Sequence, residues 1–341
     1  VYRDIFPPGP YDFEWQATSR DDITHGRHPH INVSDRVFIE IESGELVIKI
    51  ENNTTDGQGM LAEAVEEPNQ SLDDCEVAFA EVGELMLIRV QPYKEETERH
   101  YVYNSFTASV TRIDAIGDSC IQLPEDHGLI FPGGYYLATG ETRTFSDPAP
   151  VGLKFKRRFR SPNGEDVLYV FYEPNEGIVA LLSYNLIAKS LQNPIYGHGY
   201  ALAQDGTIVI FNADHEATRI HPMQVWVTPY VSEEYAAKQP VGESFYSRIG
   251  NAELVRGVSD IFSIVRLVRE SEASVAHYEA LRRSATRLFD SHFWVDEPDA
   301  LGVGNAVREL PDTVELVIDE FDKVEAIKRQ SDAALREAED T

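Results

Sequence analysis

Over residues 1–240 apolar and polar positions alternate in short bursts; beyond that the period widens. In "RVFIEIESGELVIKIEN", Val37, Ile39 and Ile41 alternate with polar neighbours, the turn "ESGE" follows, and Leu46, Ile48 and Ile50 alternate again. Side chains that change face at every residue make strands, and two strands joined by a short glycine turn make a hairpin, here with one buried face. "DVLYVFYEPNEGIVALLSYN" predicts a second hairpin turning at Pro174-Asn175-Glu176-Gly177, and "GYALAQDGTIVIFN" a third turning at Asp205-Gly206. "MQVWVTPYV" closes the region. Frequent short strands separated by turn chemistry predict a β-rich domain over 1–240.

Two portions of it read as copies of one unit. "ELMLIRVQPYKEETERHYVYNSFTASVTRID" leads to "EDHGLIFPGGYYLATG", and "DVLYVFYEPNEGIVALLSYNLIAKSLQNP" leads to "YGHGYALAQDGTIVIFN". In each, a hairpin ends in Tyr-Asn (Tyr103-Asn104, Tyr184-Asn185), and a link then reaches His-Gly (His127-Gly128, His198-Gly199) and a second hairpin. The first copy has extra link around "AIGDSC", and His25-Gly26 precedes the first hairpin as a third such mark. Repeated hairpin pairs at this scale predict β-propeller-like sheets, two per copy, with orthogonal sandwiches as the alternative.

From about residue 245 the spacing is helical. Leu254, Val258, Ile261, Phe262 and Val265 form one stripe; Val275, Tyr278, Leu281, Ala285 and Leu288 form another, predicting a helical hairpin over 245–295. Gly302 and Gly304, after Pro298, read as a linker, and 310–341 as the start of a coiled-coil helix. Within it "ELVIDEFD" imitates the Walker B strand of a nucleotide hydrolase, whose Asp orients Mg²⁺. The imitation fails twice. Val314, Val317, Ile318, Phe321 and Val324 fall on one helical stripe, and no GxxxxGK[ST] phosphate loop exists upstream.

Composition narrows the picture. In 341 residues, 58 acidic side chains face 30 basic ones, for a formal charge of −28. Such a surface repels nucleic-acid backbones and anionic lipid and favours solubility and basic partners. A hydrophobic fraction of 42% is enough for real cores. The two cysteines, Cys75 and Cys120, form no CxxC pair, which argues against a disulfide scaffold and fits a reducing cytoplasm. No apolar run is long enough to span a membrane. Val1 in place of Met points to a piece of a longer or processed protein.

Three groups carry candidate chemistry. His25, His28 and His30, just after Asp21 and Asp22, are metal-ligating residue types, but Pro29 makes an extended loop of them rather than a zinc framework. His127 and His198 are possible bases; their repeated position favours structural pins bonded to a neighbouring strand, with the glycine permitting a tight turn. "KFKRRFR" is the basic run of an acidic chain. Lys154, Lys156, Arg158 and Arg160 share one side of a regular strand, with Phe155, Arg157 and Phe159 on the other. Cations interleaved with aromatics suit a nucleic-acid backbone; a strand edge blunted against aggregation is the competing reading. No GxSxG, HExxH or kinase glycine loop is present, so no catalytic or cofactor-binding residue is assigned.

"VYRDIFPPGPYDFEWQ", "GRHPHI", "IFPGGYYLATGETRTF", "RSPNGEDVLYVFY", "HPMQVWVTPYVS" and "IGNAELVRGVSD" resemble the region of unknown function in the large bacterial proteins labelled "DNA repair ATPase". The resemblance runs from the first residue to the terminal helix. It implies a multidomain protein with coiled-coil segments and a C-terminal AAA+ module that binds ATP and Mg²⁺ outside this chain. Together these readings predict a mainly β domain with a C-terminal α part, acting as a non-catalytic module that recruits a protein partner or substrate to the motor. Oligomers would form through the AAA+ and coiled-coil parts. DNA contact through Lys154, Lys156, Arg157, Arg158 and Arg160 is the alternative, and a membrane role is disfavoured.

Overall fold

The computed structural model describes residues 9–26, 29–50, 61–146, 148–212, 222–269 and 274–339. It is mainly β, with five antiparallel sheets in chain order, none closed on itself, followed by helices. The first sheet contains Ile23–Thr24, His30–Val33, Val37–Glu42, Glu45–Lys49 and Leu61–Ala64. The second contains Glu76–Val82, Leu85–Gln91, Arg99–Asn104 and Ser109–Arg112, with Gln16–Ala17 added beside Glu76–Val82. The third is Ile121–Gln122, Gly128–Phe131, Gly134–Leu137 and Thr142–Thr144. The fourth is Lys154–Arg160, Asp166–Glu173, Ile178–Asn185 and Ser190–Leu191, with Ile195–Gly197 also paired to Ile178–Asn185. The fifth has three strands, Gly199–Leu202, Thr207–Phe211 and Met223–Val227.

Each sheet packs against the next through one face. Met86 and Ile88 join Ile39 and Ile48 in the core between the first two sheets, while their neighbours Leu85 and Leu87 turn the other way to meet Leu129 and Phe131 of the third. Ile130 and Tyr135 then meet Tyr169 and Leu182, and Val170 and Leu181 meet Ile208 and Ile210. The middle strands are therefore apolar at nearly every position because both faces are covered, as in any sheet between two layers. The first sheet departs from the alternation reading. Phe38 and Glu40, on the face opposite Ile39, are buried too, and Glu40 holds Lys49 in a buried ion pair. Glu40 supplies a charged partner at that position, without which Lys49 would not tolerate desolvation.

The hairpin pairs of each repeat copy fall in separate sheets, the second and third for one copy, the fourth and fifth for the other. The segment before the His-Gly mark behaves differently in the two. Ile121–Gln122 pairs with Gly128–Phe131 of its own sheet, whereas Ile195–Gly197 pairs back onto the preceding sheet. That leaves the fifth sheet one strand short, and His25-Gly26 lies inside the first sheet, between Ile23–Thr24 and His30–Val33. Gly128 is required where it stands. Its φ is +139°, and a Cβ there would lie 2.0 Å from the Tyr136 carbonyl oxygen.

The α part opens with a short turn of helix, α1 (Glu233–Ala236), followed by α2 (Asn251–Arg269), α3 (Val275–Ser291) and α4 (Val303–Glu339). Ser274 caps α3, accepting from the His277 N–H at 3.2 Å. Ile264, Leu281, Leu288, Trp294 and Val314 form the helical core. Of the predicted α2 stripe, Leu254, Val258 and Ile261 pack there, but Phe262 and Val265 are exposed. The helix has a second buried face instead. Val255 enters the core between the third and fourth sheets, Ser259 Oγ donates to the Leu186 carbonyl at 2.9 Å, and Gly257 makes room for the Trp294 ring. The glycine linker is shorter than its composition suggests, since α4 begins at Val303 and runs through Pro311. "ELVIDEFD" lies within α4, so the helical reading of that stretch holds. Among the described residues no helix is long and apolar enough to cross a membrane.

Candidate functional site: a cleft between sheets and helices

The basic strand Lys154–Arg160 is not a regular strand. A bulge at Lys156 shifts the register between Phe155 and Arg157. Every side chain beyond it changes face, as a single inserted residue must cause. Lys154, Arg157 and Phe159 therefore share one face with Tyr172, Val170 and Leu168, and Phe155, Arg158 and Arg160 share the other with Phe171, Tyr169 and Val167. The aromatics are packing residues: Phe155 abuts Tyr169 and Phe171, and Phe159 abuts Tyr200. Lys156 sits over the Tyr172 ring at 5.7 Å. Arg160 donates to the Gly164 carbonyl and lies 3.9 Å from Glu125. The strand edge is partly covered, with the Gly9 N–H bonded to the Phe155 carbonyl at 2.9 Å. Strict alternation placed four cations on one side; the bulge divides them between two.

His25 is exposed and lies 3.7 Å from Asp73, while His30 is buried edge-on against Phe38. His28 lies outside the described residues. Among the described residues no group of three or more His, Cys, Asp or Glu side chains is placed to hold a metal ion. Both cysteines are free and buried, and burial pushes the Cys75 thiol up to about 12.

The repeat marks meet. His127 of the first copy places Nδ1 2.8 Å from the hydroxyl of Tyr184, the tyrosine mark of the second. Burial, with a smaller push from Lys189, holds the His127 imidazole down to about 3, so it is neutral at pH 7. His198 is anchored by its backbone, its N–H donating to the Phe211 carbonyl at 2.7 Å.

His127 also lines a cleft of about 910 Å³ between the third and fourth sheets and helices α2 and α3. The loop before it carries two successive residues in the left-handed region, Glu125 and Asp126, each with φ +54°. Non-glycine residues pay for that conformation; Glu125 faces Arg256 across the cleft, while Asp126 accepts from Gln122 Nε2 at 2.7 Å. The facing helices present Arg256, Arg266 and Arg287. Arg256 lies 3.4 Å from Glu125, and Arg266 lies 3.4 Å from Glu141, so ion pairs bridge the two walls. Asp260 is bound by His292, whose other ring nitrogen lies 2.8 Å from Glu253. Lys189 projects from a turn of the fourth sheet, itself left-handed at φ +49°. Burial lowers its ammonium pKa; Asp260 opposes the shift and Arg266 adds to it. Sequence reading singled out His127 alone among these. The overlooked signal was in the repeats, because Lys189 stands where the first copy has Ala108, also left-handed at φ +50°.

Among curated proteins, none matches this sequence. One solved structure that aligns with it is an oligogalacturonate lyase in complex with manganese, at 12% identity, a TM-score of 0.19, and coverage of 60% of this chain and 64% of that one. At that TM-score no argument rests on the likeness. The sequence itself is more informative, because a family described as "ATPase involved in DNA repair" matches residues 2–293, the β sheets and helices α1 to α3 together. The chain belongs to that family.

Proposed function

We propose that this chain is a non-catalytic interaction and coupling module of a larger ATPase, which recruits a protein partner or substrate to a motor carried elsewhere in the protein. In this reading ATP and Mg²⁺ belong to the motor, and neither His127 nor His198 acts as a base. The observation that supports it is α4. Its first part packs on α3, with Val314 buried and Phe321 against Tyr278, and it then continues to Glu339 with Val324 and Ile327 exposed. A helix that outruns its packing partner while keeping apolar residues suits pairing with another helix. At the other end α2 is keyed into the sheets through Val255 and Ser259, so a load on the sheets reaches α4 through packed side chains.

The test is made in the full-length protein with Val324→Glu and Ile327→Glu combined. ATP turnover or self-association changed several-fold, with unaltered thermal melting, is the expected result. Both unchanged would sink the reading. DNA contact through the basic strand is the second reading, favoured by the exposure of Lys154, Arg157 and Arg158 on the surface.

A further inference from the structure

We propose that the cleft binds a phosphate-bearing small molecule of nucleotide or sugar-phosphate size, its phosphate held by Lys189 and Arg287 with Arg266 beside them. The first support is the comparison between copies. The turns after Asn104 and Asn185 have the same length and both place their last residue in the left-handed region. Ala108 satisfies that turn in the first copy, so the backbone does not call for lysine. The long cationic side chain of the second copy has a use outside the turn, and it lines the cleft.

The second support is charge accounting. Acidic side chains outnumber basic ones 58 to 30, and in the cleft two arginines are already engaged, Arg256 with Glu125 and Arg266 with Glu141. Among the described residues neither Lys189 nor Arg287 has a carboxylate within ion-pair distance, though both line the same cleft. Two unclaimed cations with a third beside them ask for more than one negative charge. A phosphate monoester carries about −1.5 to −2 at pH 7, and a single carboxylate only one.

The third support is size and lining. A volume of about 910 Å³ lies within the range of small-molecule sites, roughly 300–1,000 Å³. Exposed Phe106 provides apolar wall, and Glu141 provides an acceptor for the hydroxyls of a sugar. The acidic surroundings disfavour a long polyanion tracking through, which leaves a small anion as the ligand the cleft suits.

Isothermal titration calorimetry on the whole chain tests this, with adenosine monophosphate, glucose 6-phosphate, inorganic phosphate and citrate as probes. At least one phosphate ester binds, more tightly than citrate. Whichever ester binds identifies the body, and inorganic phosphate bound as tightly as both would assign the site to the free ion. Lys189→Ala weakens binding at least tenfold and keeps its melting temperature, since Ala108 already occupies the equivalent turn. Arg287→Gln, on an exposed side chain, weakens it several-fold, and Lys154→Ala on the basic strand leaves it unchanged. The proposal is overturned by the absence of binding to any phosphate probe at millimolar concentration, by citrate binding as tightly, or by Lys189→Ala binding like the parent.

Discussion

Asn104 and Asn185 occupy matching places in the two repeat copies, and the chain treats the turns that follow them differently. Both side-chain oxygens accept backbone N–H groups of the turn, from Phe106 and Thr107 in one case and from Ala188 in the other. In the first copy the Asn104 amide then donates to the Tyr136 hydroxyl and the Ala138 carbonyl, tying the turn into the next sheet. In the second copy the amide donates to Glu165 and Asp166 of its own sheet. The next residue, Leu186, instead offers its carbonyl to Ser259 of α2. One backbone device thus serves sheet-to-sheet stacking in one place and helix docking in another. Local chemistry fixes the turn, and its neighbours fix its use.

The largest effect that separates the copies is expected at the glycine marks. Gly128→Ala puts a methyl group 2.0 Å from the Tyr136 oxygen in a left-handed backbone and should cost about 3 kcal/mol in urea unfolding. Gly199→Ala meets nothing closer than 3.8 Å and should change stability by no more than about 0.5 kcal/mol. Equal losses at the two positions would break the distinction drawn between them.

A smaller effect concerns the contact between marks. The folded His127 pKa of about 3 lies below the ordinary value of 6.5, so the unfolded chain binds more protons between those limits. The stability from keeping this ring neutral is complete above pH 6.5 and declines as pH falls from there through about 3. His127→Gln should therefore lose about 1–2 kcal/mol less than the parent between pH 7 and pH 5, since each unit of proton linkage is worth about 1.4 kcal/mol. Parallel losses in parent and variant would show that acid acts elsewhere.

The smallest effect concerns the first strands. Glu76–Val82, just before the first copy, is shielded by Gln16–Ala17, while Lys154–Arg160, just before the second, has on its outer edge only the Gly9 bridge among the described residues. With the bulge splitting its cations and a net charge of −28, the open strand should bind labelled duplex DNA weakly at low salt. Reversing Lys154 and Arg157 to Glu should change that affinity less than twofold. An affinity that falls steeply with salt and vanishes in the variant would put DNA contact ahead of partner recruitment.

Legibility in the sequence followed range. The hairpins turning at 174–177 and 205–206 and helix α3 could be read because turn chemistry and helical spacing are decided within a few residues. The Lys156 bulge could not, since one inserted residue leaves the pattern of residue types intact while reversing every face after it. The second face of α2 was hidden for a related reason. A search for one apolar stripe takes Phe262 and Val265 and passes over Val255, Gly257 and Ser259, whose burial depends on sheets far away in sequence. The cleft is entirely long-range, and of its lining the sequence had marked His127 by its place in the repeat, Arg160 in the basic run and Leu288 in a helical stripe, never as neighbours.

The face-sharing stack also has a consequence for synthesis. Each sheet is finished before the sheet that will cover its second face has been made, so Leu129 and Phe131 find their partners Leu85 and Leu87 already waiting, while Ile130 and Tyr135 must wait for Tyr169 and Leu182. At about 5–20 residues per second, that wait lasts seconds for each sheet. A nascent chain of this protein is a partial stack with one apolar face always bare, and the bare face moves along the molecule as translation proceeds.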